Sequence, residues 1–148
     1  MKKGLFIGLL VGAAAIAAIF MLIVVYSPKN YLDKVDPVDV ARIQVFDSAT
    51  GDRFDIREQE EIATIVKNIQ GATMEWDGFA IGDKKGGTNW QISFYDMEDK
   101  AIGTTITIVS EKRYRDGSFF YKTEESNGLE YIQELKKKYV IPGQIKTE

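Results

Sequence analysis

The side chains with which this chain could do acid–base chemistry are the carboxylates Glu75, Asp77, Asp96 and Asp99. A glycosidase needs two carboxyl groups on opposite sides of a substrate cleft, but solvated turn residues of an acidic domain explain these four more simply. The sequence has no histidine and no cysteine, so the commonest general base and the thiolate nucleophile are missing. Serine activation by lysine lacks its Ser-x-x-Lys spacing as well. We therefore expect no catalytic residues and no enzymatic activity.

Three segments resemble metal or phosphate sites without completing one. The segment Asp47–Asp52 begins like a calcium loop but lacks a ligand at the third position and the later bidentate glutamate. Asp96, Glu98 and Asp99 could bind calcium weakly, although an ordinary hairpin turn also explains them. The segment 82–88, GDKKGGT, has the glycines and lysines of phosphate loops but not their order. We expect no metal and no cofactor.

Aromatic residues are the remaining candidates for contact with a partner. They flank a glycine-rich loop predicted over residues 77–87 and crowd an Asp-Gly turn, and they are Trp76, Phe79, Trp90, Phe119, Phe120 and Tyr121. In a sheet packed on one face, alternating aromatics are more often core than contact surface. Phe119 and Phe120 must nevertheless point to opposite faces of a strand, so one of them lies outside the main core unless a helix covers it. Clustered exposed aromatics favour partner binding.

The spacing of apolar residues predicts the strands and helices that would position these side chains. Alternation predicts strands at 39–47, 54–56, 73–76, 90–95 and 102–108. Asp116-Gly117 predicts a type I′ hairpin between 112–115 and 118–122. Apolar stripes predict two helices, one with Ile62, Ile65, Val66 and Ile69 inward, the other with Leu129, Ile132, Leu135 and Tyr139 inward.

Capping patterns set the expected helix ends. Asp55-x-x-Glu58 and Asn127-x-x-Glu130 resemble capping boxes, while Gly71 and Pro142-Gly143 are stop signals. The expected fold class is α+β: an antiparallel β-sheet in the order β-β-α-β-β-β-β-α with helices packed on one face, preceded by an N-terminal transmembrane helix.

The segments VARIQVFD, EEIATIVKNI, WQISFYD and TTITIV, following an N-terminal span, resemble small membrane-anchored or lipoprotein domains of Gram-positive bacteria. The resemblance covers about residues 38–138. It implies an extracytoplasmic α+β domain and supplies no catalytic residues.

The first 26 residues predict a retained membrane anchor. Gly4 to Tyr26 contains no charged side chain and would form a helix of about 35 Å, against a hydrocarbon core of about 30 Å. Signal-peptide cleavage after Ala17 would leave a strongly apolar new N-terminus. Cleavage after Ser27 is disfavoured because Pro28 follows it. Lys2 and Lys3 favour a cytoplasmic N-terminus.

The anchor carries Gly4, Gly8 and Gly12 at spacing four, a ridge that would permit a homodimer. Residues 27–37 contain two prolines and no periodicity, so we expect a linker before an extracytoplasmic domain over 38–148. Beyond Tyr26 the chain has 17 basic and 22 acidic residues, a net charge of −5. That balance excludes nucleic acid as an expected partner.

We expect a non-enzymatic, single-pass protein of the cell membrane, whose outer domain binds another envelope protein or a cell-wall component. A small-ligand or peptide-sensing module, with the Trp76–Trp90 loop as its lip, is the alternative. A carboxylate-based enzyme is the third and weakest hypothesis.

Overall fold

Seven strands and three helices form the described part of the chain. The computed structural model describes residues 2–27, 30–80 and 89–140, and within the first helix it describes the side chains of residues 8, 10–23 and 26. The helices are α1 (Lys2–Tyr26), α2 (Gln59–Gly71) and α3 (Leu129–Tyr139). The strands are β1 (Arg42–Asp47), β2 (Asp52–Ile56), β3 (Glu75–Phe79), β4 (Trp90–Tyr95), β5 (Ala101–Ser110), β6 (Arg113–Asp116) and β7 (Phe119–Lys122). The predicted GDKKGGT loop and the stop at Pro142-Gly143 lie outside the described residues.

All strands belong to one antiparallel sheet with the spatial order β2-β1-β4-β5-β6-β7-β3. The expected α+β class and antiparallel sheet are confirmed. The expected order was wrong by one strand, since five strands separate α2 from α3. The strand-like segment 73–76 forms β3, shifted to Glu75–Phe79, in addition to the two hairpins that follow it. The predicted glycine-rich loop therefore begins after Phe79.

The core lies on one face of the sheet, beneath α2 and α3. The predicted stripe of α2 is buried at Ile62, Ile65, Val66 and Ile69, and α3 buries Leu129, Ile132 and Leu135. These side chains join Ile43, Val45, Ile92 and Phe94 of the sheet in a continuous cluster. Strand alternation and helix periodicity thus agree on one shared interior, as the sequence predicts.

Neither predicted capping box forms in full, although Asn127 Oδ1 does accept the backbone N–H of Leu129 at 3.2 Å. Asp55 lies within β2, opposite Gln44, and the N-cap of α2 is Glu58, whose side chain makes no capping bond. The N-terminus of α3 is capped from a distant turn: the backbone N–H of Glu130 donates to Glu111 Oε1 at 2.5 Å. The N-cap residue itself, Gly128, has φ of 78°, a conformation that glycine adopts without strain.

The predicted Asp-Gly hairpin forms one residue out of step. Asp116 pairs with Phe119, so the two-residue loop is Gly117-Ser118, and the predicted type I′ turn at Asp116-Gly117 is wrong. Gly117 has φ of 56° at the first loop position, where a type II′ turn requires glycine. The pairing places Phe119 on the helix-covered face of the sheet and Phe120 on the other.

The second face of the sheet, which we call the open face, carries polar side chains and three aromatic rings covered by arginines. The guanidinium carbon of Arg42 lies 3.9 Å from the ring centre of Tyr95, that of Arg113 lies 4.0 Å from Phe120, and Arg53 lies 5.5 Å from Phe46. Cation–π contacts of this kind stabilise by about 0.5–1 kcal/mol each, and they shield apolar rings from water.

The chain between α1 and β1 packs on the domain at Leu32, which is only 1% exposed and belongs to the core. Gln70 of α2 donates through Nε2 to the carbonyls of Leu32 and Val35 at 2.7 and 2.6 Å. The side-chain amide of Asn30 donates a hydrogen bond to the carbonyl of Gln70 at 2.7 Å. A fourth bond to this segment comes from Gln59 Nε2, which donates to the carbonyl of Pro37 at 2.7 Å. The described part of the predicted linker therefore adds Leu32 to the core and is tied to α2 by four hydrogen bonds.

Helix α1 has 25 residues, and those of its large apolar side chains that the structure describes are exposed, including Leu10, Ile16 and Phe20. Within the described residues, no helix meets the combined length and hydropathy required of a membrane span. Gly8 and Gly12 are exposed, and a Cβ added at either would meet nothing within 4 Å.

The sheet ends in two short edge strands of five residues, β2 and β3. The register of β3 against β7 shifts between Trp76 and Gly78, and Gly78 has φ of 112°. This irregularity interrupts the ladder of β3, as a β-bulge does. Glu75 and Asp77 add negative charge to the same strand.

Candidate functional site: an exposed aromatic cluster

The six aromatic residues singled out from the sequence divide into three settings. Trp90 and Tyr121 are 3% and 1% exposed and belong to the core. Phe120 is buried on the open face beneath Arg113. The other three, Trp76, Phe79 and Phe119, lie together at the β3–β7 end of the helix-covered face. The structure thus unites half of the predicted candidates and places the others where neighbouring side chains cover them.

The aromatic cluster consists of these three residues and Tyr26 from the last turn of α1. Ring centres of Tyr26 and Trp76 are 4.7 Å apart, and those of Trp76 and Phe79 are 5.7 Å apart at an interplanar angle of 82°. Phe119 lies 5.7 Å from Phe79. These separations are those of favourable aromatic pairs. Phe79 is 61% exposed, so the cluster presents apolar ring surface at the edge of the sheet.

Strand geometry explains why these rings meet. Trp76 pairs with Tyr121, and Phe79 pairs with Phe119 in the neighbouring strand. Cross-strand partners share a face of the sheet, so these rings lie on the same face as Tyr121 of the core. Trp76 and Phe119 are partly buried against that core, whereas Phe79 is largely exposed, and α1 reaches Trp76 through Tyr26.

A groove of about 360 Å³ separates the end of α1 from the edge of the sheet. Its walls are the aromatic cluster and, from α1, Ala18, Met21 and Leu22. All of these side chains are apolar apart from the Tyr26 hydroxyl and the Trp76 indole N–H. The groove therefore suits an apolar occupant and offers nothing that would catalyse a reaction.

The carboxyl groups beside the cluster have partners. Asp77 Oδ2 lies 2.9 Å from Arg113 Nε in an ion pair, and Asp116 accepts a hydrogen bond from the hydroxyl of Tyr31 at 2.7 Å. Burial, together with this bond to Asp116, raises the pKa of Tyr31 well above its ordinary value. The phenol thus stays neutral and acts as a hydrogen-bond donor throughout the physiological range.

Two of the other carboxylates considered for catalysis, Asp96 and Asp99, are occupied in the same way, while Glu75 is exposed on β3 across from Lys122. Asp99 accepts from Arg42 at 2.5 Å, and Asp96 Oδ1 accepts the backbone N–H groups of Glu98 and Lys100 within their turn. The bond to Asp99 raises the pKa of Arg42, although burial opposes it. A cleft of about 630 Å³ opens beside these groups, but its two carboxylates are engaged, Asp99 by Arg42 and Asp96 by backbone N–H groups.

The calcium-like segment Asp47–Asp52 binds the ammonium group of Lys136. Lys136 Nζ lies 2.6 Å from Asp47, 2.7 Å from the Thr50 hydroxyl and 2.9 Å from Asp52. Burial disfavours the Asp47 carboxylate, yet the bonds from Lys136, the Ala49 N–H and Thr50 outweigh it and hold the pKa of Asp47 below its ordinary value. This network fastens α3 to the β1–β2 turn. Among the described residues, no group of three or more acidic side chains could hold a metal ion.

Sequence reasoning missed Tyr26, a member of the aromatic cluster, and Tyr31, which donates to Asp116 beside the cluster. Tyr26 is the last residue of the apolar stretch, and that stretch predicts a membrane anchor and not an aromatic contact with the sheet. Tyr31 falls in a segment without periodicity. Their partners are about 50 and 85 residues away along the chain, and no local spacing reveals such contacts. In comparisons with known proteins, the chain matches no protein-family model, no curated protein and no solved structure.

Proposed function

We propose that this chain is a single-pass membrane protein in which α1 is the anchor. Its α+β domain lies outside the cytoplasm and acts as a non-enzymatic interaction module for another envelope protein or a cell-wall component. The observation that carries the proposal is the 25-residue helix α1, whose large apolar side chains are exposed at the described positions from Leu10 to Tyr26.

An apolar helix that the domain leaves uncovered needs another apolar environment. Ile16, Phe20 and Met21 are 69%, 68% and 71% exposed, and exposed apolar surface costs about 25 cal/mol per Å² in water. The stretch from Gly4 to Tyr26 has no charged residue. The anchor hypothesis rests on this whole stretch of sequence, including positions whose side chains are outside the described set.

The non-enzymatic role is supported by the state of the polar groups. Beside the groove and the cleft, Asp77, Asp99 and Asp116 are paired with arginine or tyrosine, and Asp96 is bound within a turn. Histidine and cysteine do not occur in the sequence. The open face, with Gln44, Gln91 and Ser93 between its arginine-covered rings, offers hydrogen-bonding side chains to a protein or glycan partner.

Topology is testable because the sequence contains no cysteine. Two single-cysteine variants, Lys3→Cys and Met97→Cys, report on the two sides of the proposed membrane; Met97 is 84% exposed. A membrane-impermeant maleimide applied to intact cells should label Met97→Cys and leave Lys3→Cys unlabelled until the cells are lysed. Labelling of Lys3→Cys alone, or recovery of a chain that begins after Tyr26 free of the membrane, contradicts the proposal.

The interaction role is tested by photo-crosslinking in intact cells. A photoreactive residue at Gln91, exposed on the open face, should capture a specific envelope protein or wall fragment. The same residue at Lys137, an exposed position on α3, is the matched control. Equal background from both positions argues against a partner on the open face.

A further inference from the structure

The aromatic cluster contacts the part of α1 that would lie at the outer boundary of a bilayer. A hydrocarbon core of about 30 Å accommodates about 20 helical residues at 1.5 Å each. Counted from Gly4, directly after the lysine pair, these residues end near Ile23. The groove residues Ala18 and Leu22 then lie about 8 and 2 Å inside that boundary, and Tyr26 lies about 5 Å outside it.

Whatever fills the groove therefore lies at the same depth as its α1 wall. This depth is the region where acyl chains meet headgroups, and Trp and Tyr are enriched there because one part of the ring system is apolar and another polar. Trp76, Phe79 and Phe119 form the opposite wall. A soluble protein or peptide would have to enter the bilayer surface to reach these rings.

The charges around the cluster are compatible with this environment. Asp77 is paired with Arg113, and Asp116 is bound by the Tyr31 hydroxyl. The remaining carboxylate of β3, Glu75, is exposed and alternates to the face opposite Trp76, where it lies across from Lys122 in the neighbouring strand. The face that carries the rings would therefore place no uncompensated negative charge of the described part of β3 next to lipid. Phe79, 61% exposed, is the most exposed ring of the cluster.

We propose that the partner of the aromatic cluster is the lipid bilayer itself: the β3–β7 end of the domain rests in the outer interface, and acyl chains fill the groove between α1 and the sheet. This inference rests on the proposed function, since it requires α1 to be the anchor. It assigns the cluster to lipid and leaves the open face for a protein or glycan.

Tryptophan quenching tests the proposal with the full chain. The wild-type chain and Trp76→Phe are reconstituted into phosphatidylcholine–phosphatidylglycerol vesicles, with lipids brominated either near the head or near the methyl end of the acyl chain. Trp90 is 3% exposed within the core, so it serves as the internal unquenched reference. The Phe ring at position 76 preserves an apolar group in the cluster.

We expect bromine near the head of the chain to remove most of the Trp76 emission, and bromine near the methyl end to remove less. Trp76→Phe should lose this quenching and keep the unquenched Trp90 signal. Wild-type emission that is insensitive to both lipids, in a chain that resists alkaline extraction from the vesicles, overturns the lipid assignment while the anchor stands. A second copy covering the cluster would give this result together with a dimer in analytical ultracentrifugation. A chain that alkaline carbonate extracts overturns the proposed function as well.

Discussion

Replacing Leu32 with alanine tests whether the segment after α1 belongs to the folded domain or is a free tether. Leu32 is 1% exposed and packs within the core, whereas Val38, in the 3₁₀ turn Pro37–Asp39, is 67% exposed. Leu32→Ala removes a buried isobutyl group, and Val38→Ala removes a similar apolar group that water already surrounds. The pair therefore separates burial from the loss of apolar atoms as such.

The expected cost of Leu32→Ala follows from this burial. Leu→Ala substitutions at buried sites lose about 2–5 kcal/mol, and the low end applies where the chain can collapse into the space. Leu32 lies at one end of the domain on an irregular segment, so we expect a loss of about 2–3 kcal/mol. Gln70→Ala breaks the bonds to the carbonyls of Leu32 and Val35 and should cost about 1–2 kcal/mol.

Urea unfolding of the full chain in detergent micelles, followed by the fluorescence of Trp76 and Trp90, measures these changes. Val38→Ala should stay within about 0.5 kcal/mol of the wild type. If Leu32→Ala also falls within that margin, and the Leu32 and Val35 amides exchange as fast as free peptide, the docked segment is refuted. The domain would then be a flexibly tethered body, as the prolines and missing periodicity of residues 27–37 predict.

The remaining predictions concern one glycine and one ion pair. Gly128→Ala should lower the free energy of unfolding by at least about 1 kcal/mol, because φ is 78° and the new Cβ would lie 2.5 Å from Asn68 Nδ2; Gly71→Ala, whose Cβ meets nothing within 4 Å, is the control in the same thermal denaturation series. Lys136→Met should cost about 2 kcal/mol, since it leaves the Asp47 carboxylate buried without its cation, while the exposed Lys137→Met should cost nothing measurable. The depressed pKa of Asp47 means that its stabilisation is present above about pH 4 and is lost as the pH falls through the folded-state value. Urea midpoints measured across the acid range should therefore fall less steeply for Lys136→Met than for the wild type, and parallel curves would show that this ion pair does not govern the acid response.

The parts of the fold that the sequence predicts well are those set by regular periodicity. The stripe from Ile62 to Ile69 and the alternation of Trp90, Ile92 and Phe94 both identify buried faces correctly. In each case one face of one element meets the core, so residue spacing alone carries the information. Gly71, a stop signal by its type, is the last residue of α2.

The errors come from choices that depend on contacts between distant segments. The Asp-Gly pair suits a type I′ turn, yet Gly117-Ser118 forms the loop, because the observed pairing puts Tyr121 opposite Tyr114 in the core. The capping box at Asn127 competes with Glu111, which reaches α3 from another turn. For the candidate site, the presence of aromatic side chains was enough to select Trp76, Phe79 and Phe119. Only the sheet register shows that these three form the cluster while Trp90, Phe120 and Tyr121 are covered.

If α1 anchors the chain in a membrane, as we propose, the irregular outer strand β3 has a consequence for many copies held in one plane. Molecules confined to two dimensions collide side by side, and unpaired strand edges would let them join into continuous ribbons. The shifted register at Trp76 and Gly78 and the acidic Glu75 and Asp77 deprive a neighbour of a straight template on that side. At high surface density the molecules should thus not associate through β3 and should remain free to diffuse laterally toward a binding partner.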